Sequence, residues 1–159
     1  MALALFQLDR RDEALAVARR SLSKGGENFT ARYVIGLFHV EEKNWAQARD
    51  NLRAALAAPA TGDWSEYRND INDRLGMVLA GLKEAERTIS SLEQRLETEP
   101  QLLDERFELG SLYIRAGKYA LAEARIEYMR KNYWPDTASD LQNLLNELCG
   151  GSGRPGKGG

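Results

Sequence analysis

The sequence predicts an all-α protein built of antiparallel helix pairs. Three observations carry that prediction. Helix formers, above all Ala, Leu, Glu and Arg, dominate while only four prolines occur, strand-like alternation is nowhere sustained, and a set of small and aliphatic positions recurs in register along the chain. Pro59, Pro100, Pro135 and Pro155 all fall where helical patterns stop.

Taken in order, the elements form four copies, and the 34 residues between Gly76 and Gly110 set their period. The first copy, residues 1–28, starts inside its leading helix and continues through RRDEALAVARRSL to Gly25-Gly26, which suit a helix exit. The second, 29–68, contains VIGLFHVEEKNWAQA, with Gly36 after Ile35 and Ala48 twelve residues on; 34 residues before Ala48 stands Ala14. About six extra residues around APATGDWSEY, including Gly62, separate the second copy from the third and account for the longer interval from Gly36 to Gly76. The third, 69–102, contains RLGMVLAGLKEAERT and ends on Pro100, but places Thr88 and Arg95 where Ala48 and Ala55 stand in the second copy. The fourth, 103–135, contains ELGSLYIRAGKYALAEARIEYMRKNYWP. Asp12, Thr30, Asn44 and Asp63 are the expected N-caps.

Beyond Pro135, DTASDLQNLLNEL puts Leu141, Leu144, Leu145 and Leu148 on one face, with Thr137 or Ser139 to cap it. A helix over 137–148 would cover the last apolar face of the array. Residues 1–149 thus read as one helical repeat domain, and the glycine-rich residues 150–159 as a flexible tail. Trp45 and Tyr119 occupy equivalent packing sites, and Trp134 fits between the last copy and the capping helix. Trp64 and Tyr67 escape the repeat, and read either as core of an extended helix or as an exposed anchor for a partner.

Leu-Gly, Tyr, Gly-x-Tyr, Ala and a terminal Pro follow one another in the fourth copy, and four copies share the register. In this the chain resembles the tetratricopeptide-repeat family over roughly residues 1–135. The resemblance implies a right-handed superhelical array of antiparallel helix pairs, an α-solenoid whose concave groove takes an extended peptide or a partner helix. Gly36, Gly76 and Gly110 then mark close approaches between the two helices of a hairpin. Gly117, Lys43 and Lys83 stand at its turn.

The groove-facing positions are Leu3, Phe6 and Gln7 in the first copy and Thr30, Tyr33, Leu37, Val40 and Glu41 in the second. The third offers Asp70, Asp73, Met77 and Ala80, and the fourth Asp104, Phe107, Ser111, Ile114 and Arg115. Such a surface is apolar with an acidic stripe, so it fits a partner segment with apolar side chains and a basic residue. Family members that clamp chaperone carboxylates use Lys, Arg and Asn at these positions. Tyr33, Leu37, Asp70 and Asp73 stand there instead, so that activity is not expected.

Composition excludes several other classes. A net charge of −2, from 22 basic and 24 acidic residues spread along the chain, gives no basic stripe for nucleic acid. No run approaches 18 apolar residues, and the first charge follows rather than precedes the apolar start, so no membrane span or signal peptide is expected. The expected location is the cytoplasm, or a soluble domain of a larger membrane-associated protein. One histidine, His39, and one cysteine, Cys149, offer neither a dyad nor a Cys/His metal site. No phosphate or dinucleotide loop and no calcium loop occurs. No catalytic residue, cofactor or metal is therefore expected.

The leading expectation is a protein-interaction module, a scaffold or adaptor within a larger assembly. The Ala/Arg/Leu-rich composition reads as bacterial, and fold-level analogy suggests envelope, secretion or exopolysaccharide machinery. The alternative is a structural element that self-assembles through its open first copy, and an enzyme is the remote third. Because the first copy lacks the front of its helix, the chain also reads as part of a longer repeat protein, or as one whose N-terminal face another subunit covers.

Overall fold

The computed structural model describes residues 1–25, 28–59, 64–132 and 134–149. Expected features at Gly26, Gly62, Asp63 and 150–159 lie outside the described residues. Those residues form eight α-helices and no strand: α1 (Ala2–Gln7), α2 (Arg11–Ser23), α3 (Phe29–Glu41), α4 (Trp45–Ala57), α5 (Ser65–Thr98), α6 (Leu103–Arg115), α7 (Tyr119–Lys131) and α8 (Pro135–Cys149). The chain divides into two compact units, residues 1–82 and 83–159, with α5 contributing to both.

Three helix pairs close through the same turn. Asp9, Lys43 and Gly117 take positive φ angles of 59°, 52° and 77° at equivalent positions. At each, the next residue's N–H donates back five residues, from Arg10 to Leu5, Asn44 to His39 and Lys118 to Tyr113, at 2.9, 2.9 and 2.7 Å. The left-handed residue itself donates to the carbonyl three back. Together these bonds satisfy the carbonyls that a helix end leaves open. The donor of the long bond is also the N-cap of the next helix, so two helices reverse direction with no intervening loop.

The third copy departs from this plan. Lys83, at the turn position, lies inside α5, a single helix of 34 residues. Glu84 and Ala85 follow it, good helix formers where Asn44 and Trp45 begin a new helix in the second copy. Closing the hairpin would also press Glu86, Thr88 and Arg95 into the places of Ala46, Ala48 and Ala55, all buried in α4. Burying an unpaired Glu and Arg costs several kcal/mol, more than a hairpin returns. The expected third hairpin is replaced by a continuous helix.

The glycines report the same difference. A Cβ on Gly36 would stand 2.7 Å from Leu52 Cδ2 and 3.3 Å from the Leu52 backbone nitrogen, so α3 and α4 touch there. A Cβ on Gly110 would stand 2.3 Å from Leu141 Cδ2. Its close neighbour is therefore α8, not its hairpin mate α7. A Cβ on Gly76 would meet nothing within 4 Å, so no close approach occurs there. Gly76→Ala is accordingly expected to raise stability by about 0.5–1 kcal/mol, through helix propensity alone. Gly36→Ala is expected to lower it. Urea midpoints for the two variants check the opposite signs, and a loss at Gly76 would refute the open helix face.

Within residues 1–82, Phe29, Tyr33, Leu37, Leu52, Ile71 and Val78 form one buried cluster, and Ala14, Ala18, Ala31 and Val34 belong to another beside it. Within residues 83–149, Ile89, Leu92 and Leu96 of α5 join Leu109, Ile114, Ile126, Met129 and Leu141. Trp134 packs against that cluster, between α7 and α8 as expected.

Helix starts correct two expected caps. Asp12 lies in the first turn of α2 behind N-cap Arg10, and Thr30 lies inside α3 behind Asn28. The Asn28 side chain accepts from Ala31 N–H at 3.0 Å. Asn44 is an N-cap as expected, without a side-chain cap bond to the helix. Pro135 opens α8 rather than ending a pattern, because its fixed φ suits a first helical turn and its missing N–H is not needed there. Ser139 then donates to the Pro135 carbonyl from inside the helix and is no cap.

Candidate interaction surface

The positions expected to face a groove divide between the two units. Phe6, Tyr33, Leu37, Val40, Glu41, Asp70, Asp73 and Met77 belong to residues 1–82, and Asp104, Phe107, Ser111, Ile114 and Arg115 to residues 83–149.

Three of them are core residues. Tyr33, Leu37 and Ile114 are buried, so a partner cannot lie on their side chains as expected. Leu37 and Tyr33 pack between α3 and the first half of α5, and Ile114 packs in the second unit's cluster. Phe6, Val40 and Phe107 are half-buried: each rests on the core and leaves one side to solvent. Met77 is 64% exposed. Asp73 and Asp104 are exposed on their helices.

The expected acidic stripe is partly neutralised within the chain. Glu41 pairs with Arg11 at 2.8 Å. Asp70 Oδ2 accepts from the Tyr33 hydroxyl at 2.5 Å and from Arg74 Nε at 2.6 Å. Burial pushes the Asp70 carboxyl up, but the bonds from Arg74 and Tyr33 and the Arg74 charge outweigh it and hold the carboxyl below its usual range. The Tyr33 hydroxyl is pushed well above its ordinary value, by burial first and then by its bond to Asp70. Asp70 therefore stays charged and Tyr33 protonated throughout the neutral range. In the second unit, Arg115 Nε donates to Ser111 at 3.4 Å.

Sequence reasoning missed an aromatic group around Asp70. Phe29 and Trp64 have ring centroids 4.9 Å apart, Trp64 and Tyr67 5.2 Å, and Tyr33 and Tyr67 5.8 Å in an edge-on arrangement. Trp64 and Tyr67 are half-buried: they pack against the first unit's cluster and keep part of their surface open. Tyr67, Asp70 and Arg74 follow at three- and four-residue steps, so α5 presents them on one face. That spacing was a readable signal for the Asp70–Arg74 pair. Nothing in the sequence marked Phe29.

His39 lies in the core, 2% exposed, and not on this surface. Cys149 is half-buried, and burial raises its thiol pKa, which disfavours the reactive thiolate. No group of three or more His, Cys, Asp or Glu residues arranged to hold a metal ion occurs among the described residues. No helix among them is long and apolar enough to cross a membrane.

Leu3, Phe6, Val40, Trp64 and Tyr67, from α1, α3 and α5 and the residue before it, all pack half-buried against one cluster of the first unit. The chain is similar to a tetratricopeptide-repeat protein. The crystal structure of YrrB, described as a TPR protein with an unusual peptide-binding site, matches 92% of this chain and 82% of its own at 18% identity, with a TM-score of 0.43. No protein-family model matches the chain, and no curated protein does.

Proposed function

We propose that the chain is a non-catalytic protein-interaction module, a scaffold or adaptor that holds a segment of another protein against α1, α3 and the first half of α5. The observation that carries this reading is the pairing on α5 of Met77, 64% exposed, with exposed Asp73 one turn before it. Half-buried Phe6, Val40, Trp64 and Tyr67 extend the apolar part. Apolar side chains that are left open beside carboxylates suit a segment with apolar residues and a basic one.

Selecting a displayed library of random 12-residue peptides on the full chain tests the reading. Enriched peptides are expected to combine apolar and basic residues and to shift amide resonances of α3 and α5. Met77→Glu or Val40→Asp is expected to weaken them about tenfold, by charging an apolar contact. Failure to enrich any peptide, or shifts confined to other helices, would overturn it.

A further inference from the structure

We infer that Asp70 and the ring of Tyr67 form a seat for one guanidinium of the bound segment, an arginine side chain that approaches Asp70 through Oδ1. This inference rests on the reading that the α1, α3 and α5 face takes a peptide segment.

Four observations meet at this point. Tyr33 and Arg74 both bond to Oδ2 of Asp70, and among the described residues no hydrogen bond reaches Oδ1. Buried Tyr33 fixes the carboxylate from below while the Asp70 side chain keeps 38% exposure. The acceptor is thus held in place before any ligand arrives, which reduces the ordering cost of binding. Aromatic residues lie close by, with Tyr67 one turn before Asp70, its ring edge-on to that of Tyr33 at 5.8 Å and tilted against Trp64 at 5.2 Å. Finally, Glu66, Asp70 and Asp73 recur at three- and four-residue steps along α5, with Arg74 as the cation on that face.

A carboxylate oxygen beside aromatic faces suits a planar guanidinium better than an ammonium. The guanidinium donates in its plane and stacks with its face, whereas a lysine ammonium does only the first, and holds its water more strongly. The Arg74–Asp70 bond at 2.6 Å shows that a guanidinium already fits one edge of this carboxylate. An incoming arginine uses the other edge and leaves Arg74 in place.

The test titrates the full chain with Nα-acetyl-arginine amide, following backbone amides and the Trp64 indole by NMR. Saturable shifts are expected at Tyr67, Asp70 and Trp64. Nα-acetyl-citrulline amide, the neutral isostere, is expected to bind at least about tenfold more weakly, as is the arginine probe on Asp70→Asn, whose amide oxygen still accepts from Tyr33. Equal shifts from the two probes, no change on Asp70→Asn, or a lysine probe binding as tightly as arginine would each overturn the seat. The outcome also separates the two claims. Selected peptides that bind near Met77 without arginine and keep their affinity on Asp70→Asn refute the seat and leave the module reading standing. An arginine probe that binds while no peptide is ever enriched does the reverse.

Discussion

Replacing Arg106 with alanine is expected to destabilise the second unit by about 3 kcal/mol. Arg106 is 3% exposed, an unusual place for a guanidinium. Its Nε donates to the Pro100 carbonyl at 2.6 Å, in the connection between α5 and α6. Its guanidinium carbon sits 4.7 Å from the Tyr128 ring centre on α7 and 5.4 Å from that of Trp134, before α8. One side chain therefore ties two connections and two helices together. Losing a charge-assisted hydrogen bond costs about 1.5–3 kcal/mol, and losing a desolvated cation–π contact up to about 2. Removing the stem adds a cavity, and relief from holding a charge away from water offsets part of the sum. Arg106→Lys keeps the charge but not the flat face that two rings contact, so it is expected to recover less than half. Urea unfolding followed at Trp134 isolates the effect, because Trp45 and Trp64 lie in the other unit. A loss below about 1 kcal/mol, or full rescue by lysine, would show that Arg106 is a passive filler.

Arg106 also marks where the sequence stops being informative. Helix periodicity located α2, α3, α4, α6 and α7, because small residues at Ala14, Ala48 and Ala122 are all fully buried where one helix meets its partner. The turns were readable in part: Gly117 announces a left-handed residue, while Asp9 and Lys43 take the same conformation without glycine. The third copy misled because its glycine and aliphatic residues keep the repeat register while its second half does not. Thr88 and Arg95 depart from the repeat, and with Glu86 they disfavour the hairpin in whose place α5 runs on. For the surface, positional analogy gave a register around each helix but not the depth of each residue. Tyr33, Leu37 and Ile114 occupy the expected register and are nevertheless buried. A linear pattern gives an angle around a helix axis, not how far a neighbouring helix extends over it. Arg106 lay outside every pattern, since its partners come from two connections and one distant helix.

A second large effect is expected from acid, through His39. This side chain is 2% exposed and its Nδ1 meets no hydrogen-bond partner. Burial, and secondarily the positive charge of Arg19, lower its pKa from 6.5 to about 4. The direction follows from which state binds the proton. Above pH 6.5 the imidazole is neutral in folded and unfolded chains alike, and its burial carries no titration penalty. Between pH 6.5 and 4 the unfolded chain binds a proton that the folded chain refuses, so stability falls steadily as pH drops. Below about pH 4 both states are protonated and no further loss comes from this group. The pKa difference corresponds to about 3 kcal/mol, on the order of 15 °C in the melting temperature of a unit this size. Carboxylates titrate near the lower end of the same window, so the wild type alone cannot isolate the effect. His39→Leu can. It keeps the volume and removes the titrating group, so its melting temperature is expected to be nearly flat from pH 6.5 to 5, where the wild type already declines. Parallel slopes for the two proteins would mean that His39 is solvated on opening, or paired in the fold, and would remove the histidine from the account of acid sensitivity.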